Sequence, residues 1–269
     1  MIDAQRAYIY KVTYQVRLFL YLYLPSDWLE GDKRAGIVFF FGGGWQQGTA
    51  NHFRRQAQYL AERGMVAACA DYRVKSRQNV LPDSCVEDAK SAVRWMRAHA
   101  EELGLDPQRL VAAGGSAGGH LAACTAIIEG FEAEDEDETI SSVPNALALF
   151  NPALDLSKAL PGIVERFGSM DLARALSPNL YIREGLPPAV VFHGQDDAIV
   201  PVEQSESFVQ LMEKAGNRAE LHVAPGEGHG FFNRSPWFER TLYRLDQFLA
   251  SLGYLEGEPT VPLLEGGEW

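Results

Sequence analysis

The sequence predicts an α/β fold: a mostly parallel central sheet with helices on both faces. Three observations predict it. Short continuous apolar runs recur at residues 37–41, 65–70, 109–113, 146–150 and 189–192, as expected of strands buried on both faces. Helix-compatible stretches lie between them, and strands alternating with helices build parallel sheets. Gly114-Gly115-Ser116-Ala117-Gly118 follows one such strand, opens one such helix and fits the pattern G-x-S-x-G.

The elements follow in chain order. Val12, Tyr14, Val16, Leu18, Leu20, Leu22 and Leu24 share one face of a period-two stretch, predicting half-buried β structure of one or two strands. Pro25 and Gly31 punctuate the next loop. Residues 37–41 read as a strand, 57–63 as a helix and 65–70 as a strand. Pro82 begins a helix to about Ala100, with Val86, Ala89, Val93 and Met96 as its apolar stripe. Asp106-Pro107 predicts a turn, then come the strand at 109–113 and the helix after Ser116. Strands at 146–150, 189–192 and 221–223 and helices at 202–215 and 237–252 complete one domain over residues 1–255. Residues 256–269, rich in Gly, Pro and Glu, read as an acidic C-terminal tail.

Composition narrows the function. The 269 residues suit one large α/β domain, and 46% apolar residues suffice for a sizeable core. A net charge of −12 repels phosphate backbones and anionic lipid, arguing against nucleic-acid and membrane partners. No apolar run approaches the roughly 18–20 residues that span a bilayer. The N-terminus lacks the basic stretch and apolar core of a signal peptide, so the chain reads as cytoplasmic, as a trimmed secreted form also would. Cys69, Cys85 and Cys124 contain no C-x-x-C and suggest neither a disulfide framework nor a zinc site. Residues 132–138, with six acids in seven positions, read as a solvated loop.

The chemistry starts at Ser116. A strand–turn–helix setting raises its Oγ above the sheet, and the helix N-terminus favours negative charge there. Serine needs a base. His229, in Pro225-Gly226-Glu227-Gly228-His229-Gly230 after a strand, is the candidate. The orienting acid comes from Asp196 or Asp197, after the strand at 189–192, with Asp155 a third candidate; Ser116…Asp197…His229 runs in the order known for such sites. Gly42-Gly43-Gly44 after an early strand offers exposed N–H groups for an oxyanion, joined by the Ala117 N–H. His193 is expected to brace the acid loop and His120 to pack at its helix start, while His52, His99 and His222 have no partner motif. Trp45, Tyr72 and Trp237 are candidate pocket aromatics.

At these residues the chain resembles the α/β-hydrolase superfamily, and most of all its small feruloyl/acetyl-xylan esterase-like members, relatives of the hormone-sensitive-lipase-like carboxylesterases and kynurenine formamidases. The segments that carry the resemblance are Phe41-Gly-Gly-Gly-Trp45, Ala70-Asp-Tyr-Arg73, residues 82–95, Asp106-Pro107, residues 114–122, Leu176-Ser-Pro178, Pro187-Pro188, residues 193–201 and Gly228-His229-Gly230. The resemblance implies Ser116 as nucleophile, His229 as base, Asp197 as acid, and Gly43, Gly44 and Ala117 as the oxyanion hole. Phe41 stands where relatives often have His, so the bracing of the glycine loop departs from the pattern. Gly115 stands where lipase-like relatives often have Asp, and only about 40 residues precede the glycine loop. Both point to a cap-poor esterase, with any lid drawn from residues 155–186.

The expected activity is hydrolysis of a small-molecule ester with a short, acetyl-type acyl group, on a carbohydrate or phenolic acid, with neither metal nor organic cofactor. The alternatives are an arylformamidase or amidase on the same scaffold, and a non-catalytic hydrolase-fold binding protein.

Overall fold

A computed structural model of the chain describes residues 4–157 and 162–262. Its elements are β1 (Arg6–Val12), β2 (Arg17–Tyr23), β3 (Arg34–Phe40), α1 (Arg54–Glu62), β4 (Val66–Ala70), α2 (Lys75–Gln78), α3 (Pro82–Ala98), β5 (Leu105–Gly115), α4 (Ala117–Ile127), β6 (Ala146–Phe150), α5 (Ile163–Phe167), α6 (Met170–Ala175), β7 (Ala189–Gly194), α7 (Glu203–Lys214), β8 (Ala219–Ala224) and α8 (Trp237–Ser251). Eight strands form one sheet in the order β1-β2-β4-β3-β5-β6-β7-β8. β1 and β2 pair antiparallel, as do β2 and β4, and the other pairings are parallel.

That order positions the site. From β3 the chain winds outward to β4, returns to β5 on the other side of β3, and then winds the opposite way through β6, β7 and β8. The carboxyl ends of β3 and β5 therefore flank a topological switch point, where doubly wound sheets leave a crevice. The glycine loop leaves β3 and Ser116 leaves β5, so two segments more than seventy residues apart in sequence arrive side by side.

The central strands are apolar on both faces because both are covered. Val38 and Phe40 of β3 join a core with Val86 of α3, Leu121 of α4 and Phe208 of α7. Ile37 and Phe39 join a second core with Leu60 of α1 and Leu245 of α8. Each buried side chain of this size contributes roughly 1.5–3 kcal/mol.

Several expectations are corrected. The period-two stretch is not continuous strand: residues 13–16 turn, with Thr13 Oγ1 accepting from the Gln15 and Val16 N–H groups, and Tyr14 is 93% exposed. β1 lies before that turn, and its exposed positions hide it from periodicity. The acidic run is not simply solvated. Glu132 takes hydrogen bonds from Lys90 Nζ (2.7 Å) and Arg94 Nη2 (2.6 Å), and Glu136 pairs with Arg94. Both cations are buried. Of the stretch expected as a tail, residues 256–262 are described: the Arg63 guanidinium donates to the Glu256 and Gly257 carbonyls, and Tyr59 Oη accepts from Thr260 N–H. Part of the motif resemblance has a structural cause. Arg73 of the Asp-Tyr-Arg segment grips the buried Asp88 carboxylate of α3 through Nε and Nη2, at 2.8 and 2.7 Å.

Candidate active site

Ser116 sits on the turn from β5 into α4 with φ 56° and ψ −121°. A non-glycine residue there stores backbone strain, which only a tightly packed surrounding sustains. The flanking glycines are that packing. A Cβ on Gly118 would lie 2.0 Å from the Phe40 carbonyl oxygen, and one on Gly114 would lie 2.4 Å from the Gly118 oxygen. β3, β5 and α4 thus touch backbone to backbone at the elbow.

His229 reaches this turn from the loop after β8. Its Nε2 lies 2.9 Å from Ser116 Oγ, and its Nδ1 lies 2.7 Å from Asp197 Oδ2. Asp197 follows β7, and its Oδ1 accepts from the Ile199 and Val200 N–H groups, each at 2.9 Å. Burial disfavours the Asp197 charge, but bonds from His193, His229 and the Val200 amide outweigh it and hold the carboxyl well below the ordinary carboxylate range. The carboxylate accepts, so His229 carries its proton on Nδ1 and turns an unprotonated Nε2 to the serine. Asp155 instead accepts from Ser157, and no contact joins Asp196 to His229 among the described residues.

His193 braces the acid loop as expected. Its Nε2–H donates to the Val200 carbonyl at 2.9 Å and passes 3.4 Å from Asp197 Oδ2, while Nδ1 accepts from the Ser205 hydroxyl at 2.7 Å. Asn151 does the same for the base loop. It sits at the end of β6, lines the site, and accepts the Gly230 N–H on Oδ1 at 3.1 Å.

The glycine loop lies against the elbow: a Cβ on Gly42 would be 3.4 Å from Ser116 Cβ. Gly43 and Gly44 hold φ +131° and +63°, backbone that L side chains rarely adopt. Neither N–H has a hydrogen-bond partner among the described residues, and both glycines face the cavity. Ala117 is the first residue of α4, whose first-turn N–H groups have no acceptor within the helix. In place of a histidine at position 41, the loop is braced from elsewhere. Tyr72 Oη donates to the Phe41 carbonyl at 2.7 Å, His52 Nδ1 accepts the Gly42 N–H at 3.0 Å, and Trp45 Nε1–H donates to His120 Nδ1 at 3.1 Å.

These groups open on a cavity of about 570 Å³. Ala153, Leu156, Ile163, Ile199 and Val200 make an apolar wall, while Gln46, Gln47, His52, Asn233 and Arg166 make a polar one. Trp45 lines it. Tyr72 does not, contrary to expectation: it is fully buried, stacked on Phe41 with ring centroids 3.9 Å apart, and its hydroxyl is spent on the Phe41 carbonyl. Trp237 also lies outside, its Nε1–H donating to Glu227 at 2.8 Å. Among the described residues, the segment between β6 and β7 brings the short α5 to the site through Ile163 and Arg166. Sequence reasoning passed over His52, Asn151 and Arg166. The signal that finds Asn151 is position: like the triad, it follows the carboxyl end of a parallel strand.

Among the described residues no group of three or more His, Cys, Asp or Glu is arranged to hold a metal ion, and no helix is long and apolar enough to cross a membrane. Cys69, Cys85 and Cys124 are unpaired and buried, and burial pushes each thiol's pKa up.

The BD-FAE family model matches residues 20–212. Thermogutta terrifontis esterase 2 in its apo form superposes with a TM-score of 0.92 at 50% identity, covering 96% of this chain and 98% of that one. Its butyrate-bound form gives a TM-score of 0.90 at 49% identity, covering 95% and 97%. Among curated sequences, a probable isoprenylcysteine alpha-carbonyl methylesterase of Arabidopsis thaliana, ICMEL1, is 31% identical over 80% of this chain and 49% of its own length. The probable carboxylic ester hydrolase LipM of Mycobacterium tuberculosis is 31% identical over 78% of this chain and 53% of its own. The chain therefore spans about half the length of the curated relatives it matches.

Proposed function

The chain belongs to the BD-FAE family of α/β-hydrolases, and from that premise we propose that it is a serine carboxylesterase that hydrolyses short-chain, acetyl-type esters through an acyl-enzyme. One observation carries the reading: a continuous hydrogen-bonded relay from Ser116 Oγ through His229 to Asp197, at 2.9 and 2.7 Å, on a strained elbow facing an open cavity.

The steps follow from the relay. Ser116 Oγ attacks the ester carbonyl as its proton passes to His229 Nε2. The imidazolium that forms is held by the Asp197 carboxylate, which stays ionised because its pKa is depressed. The N–H groups of Gly43, Gly44 and Ala117 receive the oxyanion. His229 then protonates the departing alcohol, leaving the acyl group on Ser116. A water gives its proton to His229, attacks the acyl carbonyl and releases the carboxylic acid and the serine hydroxyl. The apolar wall and the short α5 beside it support a short acyl chain, as does the solved relative with butyrate bound.

The test is hydrolysis of p-nitrophenyl acetate, butyrate and octanoate by the wild type and Ser116→Ala. The expected result is turnover favouring acetate and butyrate, with the variant's kcat lower by about four to six orders of magnitude. Equal rates in the two proteins overturn the serine mechanism, and faster octanoate turnover overturns the short-chain assignment.

A further inference from the structure

We propose that Arg166 makes this site selective for esters that carry a second, anionic group, a carboxylate a few bonds from the scissile ester. The proposal rests on the serine-esterase reading and adds the class of substrate.

The chain has 36 acidic residues against 24 basic ones. Even so, no Asp or Glu lines the cavity at Ser116 among the described residues, and Arg166 is its one permanently charged lining group. The guanidinium lies at the chemistry: a Cβ built on Gly44 would be 3.7 Å from Arg166 Nη1. It reaches there from α5, the element that also contributes Ile163 to the apolar wall.

Its lack of a partner sets it apart. Other cations near the core are clasped by acids: Arg63 by Asp246 at 2.6 Å, Arg73 by Asp88 at 2.7 Å, Arg94 by Glu132 at 2.6 Å. No ion pair holds Arg166 among the described residues, and it is half-buried at the cavity. A guanidinium offers a planar fork of donors that matches a carboxylate in two parallel hydrogen bonds. In a cleft with low-dielectric walls, its field is focused on whatever enters. With no acid among the described lining residues, this guanidinium is where an anionic ester is held. The apolar wall takes the carbon linker between ester and carboxylate.

The test compares matched esters. Monoethyl succinate carries its carboxylate on the acyl side, and ethyl levulinate is its neutral counterpart. The acetate ester of hydroxypropanoate carries it on the alcohol side, and the acetate ester of hydroxybutanone is neutral. Each is assayed with the wild type, Arg166→Gln and Arg166→Glu. For at least one pair, the wild type should favour the anion, and Arg166→Gln should lose about 10- to 100-fold in kcat/KM on that anion, the range for hydrogen bonds to a charged group. The neutral ester should lose several-fold less than the anion, and Arg166→Glu should disfavour the anion further. The proposal is overturned if the wild type favours neither anion, or if Arg166→Gln slows charged and neutral esters alike. The parent reading is separately legible: neutral ester hydrolysis by the wild type and its loss in Ser116→Ala uphold it whatever the charge preference.

Discussion

His52 Nδ1 accepts the backbone N–H of Gly42 at 3.0 Å, tying a side chain that lines the cavity to the loop expected to bind the oxyanion. A neutral imidazole has one acceptor nitrogen, so this bond puts the ring proton on Nε2. Burial, and then the neighbouring His229, hold the His52 pKa below its ordinary value, which keeps the acceptor available at neutral pH. His52 thereby takes over bracing that Phe41, an apolar side chain stacked on Tyr72, cannot provide through its ring.

The consequence is kinetic. Without the His52 acceptor the Gly42 peptide is free to turn, and the Gly43 and Gly44 amides lose their aim. His52→Ala should lower kcat by about 10- to 100-fold with KM within about twofold, the cost of a small misplacement of oxyanion donors. His52→Asn, whose Oδ1 can accept the same N–H, should recover part of the loss. Steady-state kinetics on p-nitrophenyl acetate would check this, and an unchanged kcat in His52→Ala would refute it.

Asp196 and Asp197 are adjacent carboxylates with different environments. Asp197 is buried, takes two backbone amides on one oxygen and His229 on the other, whereas Asp196 is exposed. Asp197→Asn should cost about 10⁴-fold in kcat, because an amide in that place no longer fixes the imidazole tautomer or stabilises the imidazolium. Asp196→Asn should stay within a few fold. A large loss in the second variant would move the acid role to the wrong residue and discredit the relay as drawn.

What was legible in the sequence follows from how local the signal is. Ser116, His229 and the acid loop each lie just after an apolar run, and runs of that kind are strands whose carboxyl ends converge. The two middle strands of the switch point could be read for the same reason. His52 and Arg166 carried no such mark: one becomes a brace only because Gly42 folds back on it, and the other reaches the cavity from a five-residue helix. β1 was missed because an edge strand exposes half its residues. The acidic run is the solvated loop expected except at Glu132 and Glu136, whose partners, Lys90 and Arg94, lie on α3 some forty residues earlier, and pairing across that distance leaves no periodicity. Tyr72 was misplaced because an aromatic residue after a strand looks alike whether its hydroxyl faces a ligand or a carbonyl.

Gly115 and Gly118 should respond differently to a single methyl group. A Cβ on Gly118 meets the backbone of Phe40 and Phe41, which cannot withdraw without parting β3 from α4. A Cβ on Gly115 meets ring tips, Phe232 Cζ at 2.8 Å and Phe53 Cζ at 3.0 Å. Gly115→Ala should therefore cost about 1–3 kcal/mol of overpacking, lowering Tm by roughly 3–10 °C. Adding Phe232→Leu should restore part of it. Gly118→Ala should yield little folded protein. Thermal denaturation of the purified variants decides, and equal, small effects at both positions would contradict the close backbone contact at the elbow.

His120 should give the fold a pH dependence of predictable sign. It is fully buried, with Nε2–H donating to the Leu176 carbonyl at 2.7 Å and Nδ1 accepting from Trp45, so it ties α4 to the glycine loop and to the segment after α6. Burial pushes its pKa down to about 4, although the Leu176 carbonyl pulls the other way. In the unfolded chain a histidine titrates near 6.5. Between those values the unfolded state binds a proton that the folded state refuses. The contribution is thus complete above about pH 6.5 and is lost as pH falls toward 4, by at most about 3 kcal/mol. His120→Gln has no such group, and the other histidines with lowered pKa, His52 and His222, remain in both proteins and cancel. Urea denaturation of both proteins between pH 7.5 and 4 should show the wild type losing stability more steeply than the variant as the pH falls. Parallel curves would mean that the folded protein accommodates a protonated His120, and that the Trp45 and Leu176 contacts do not hold the ring neutral.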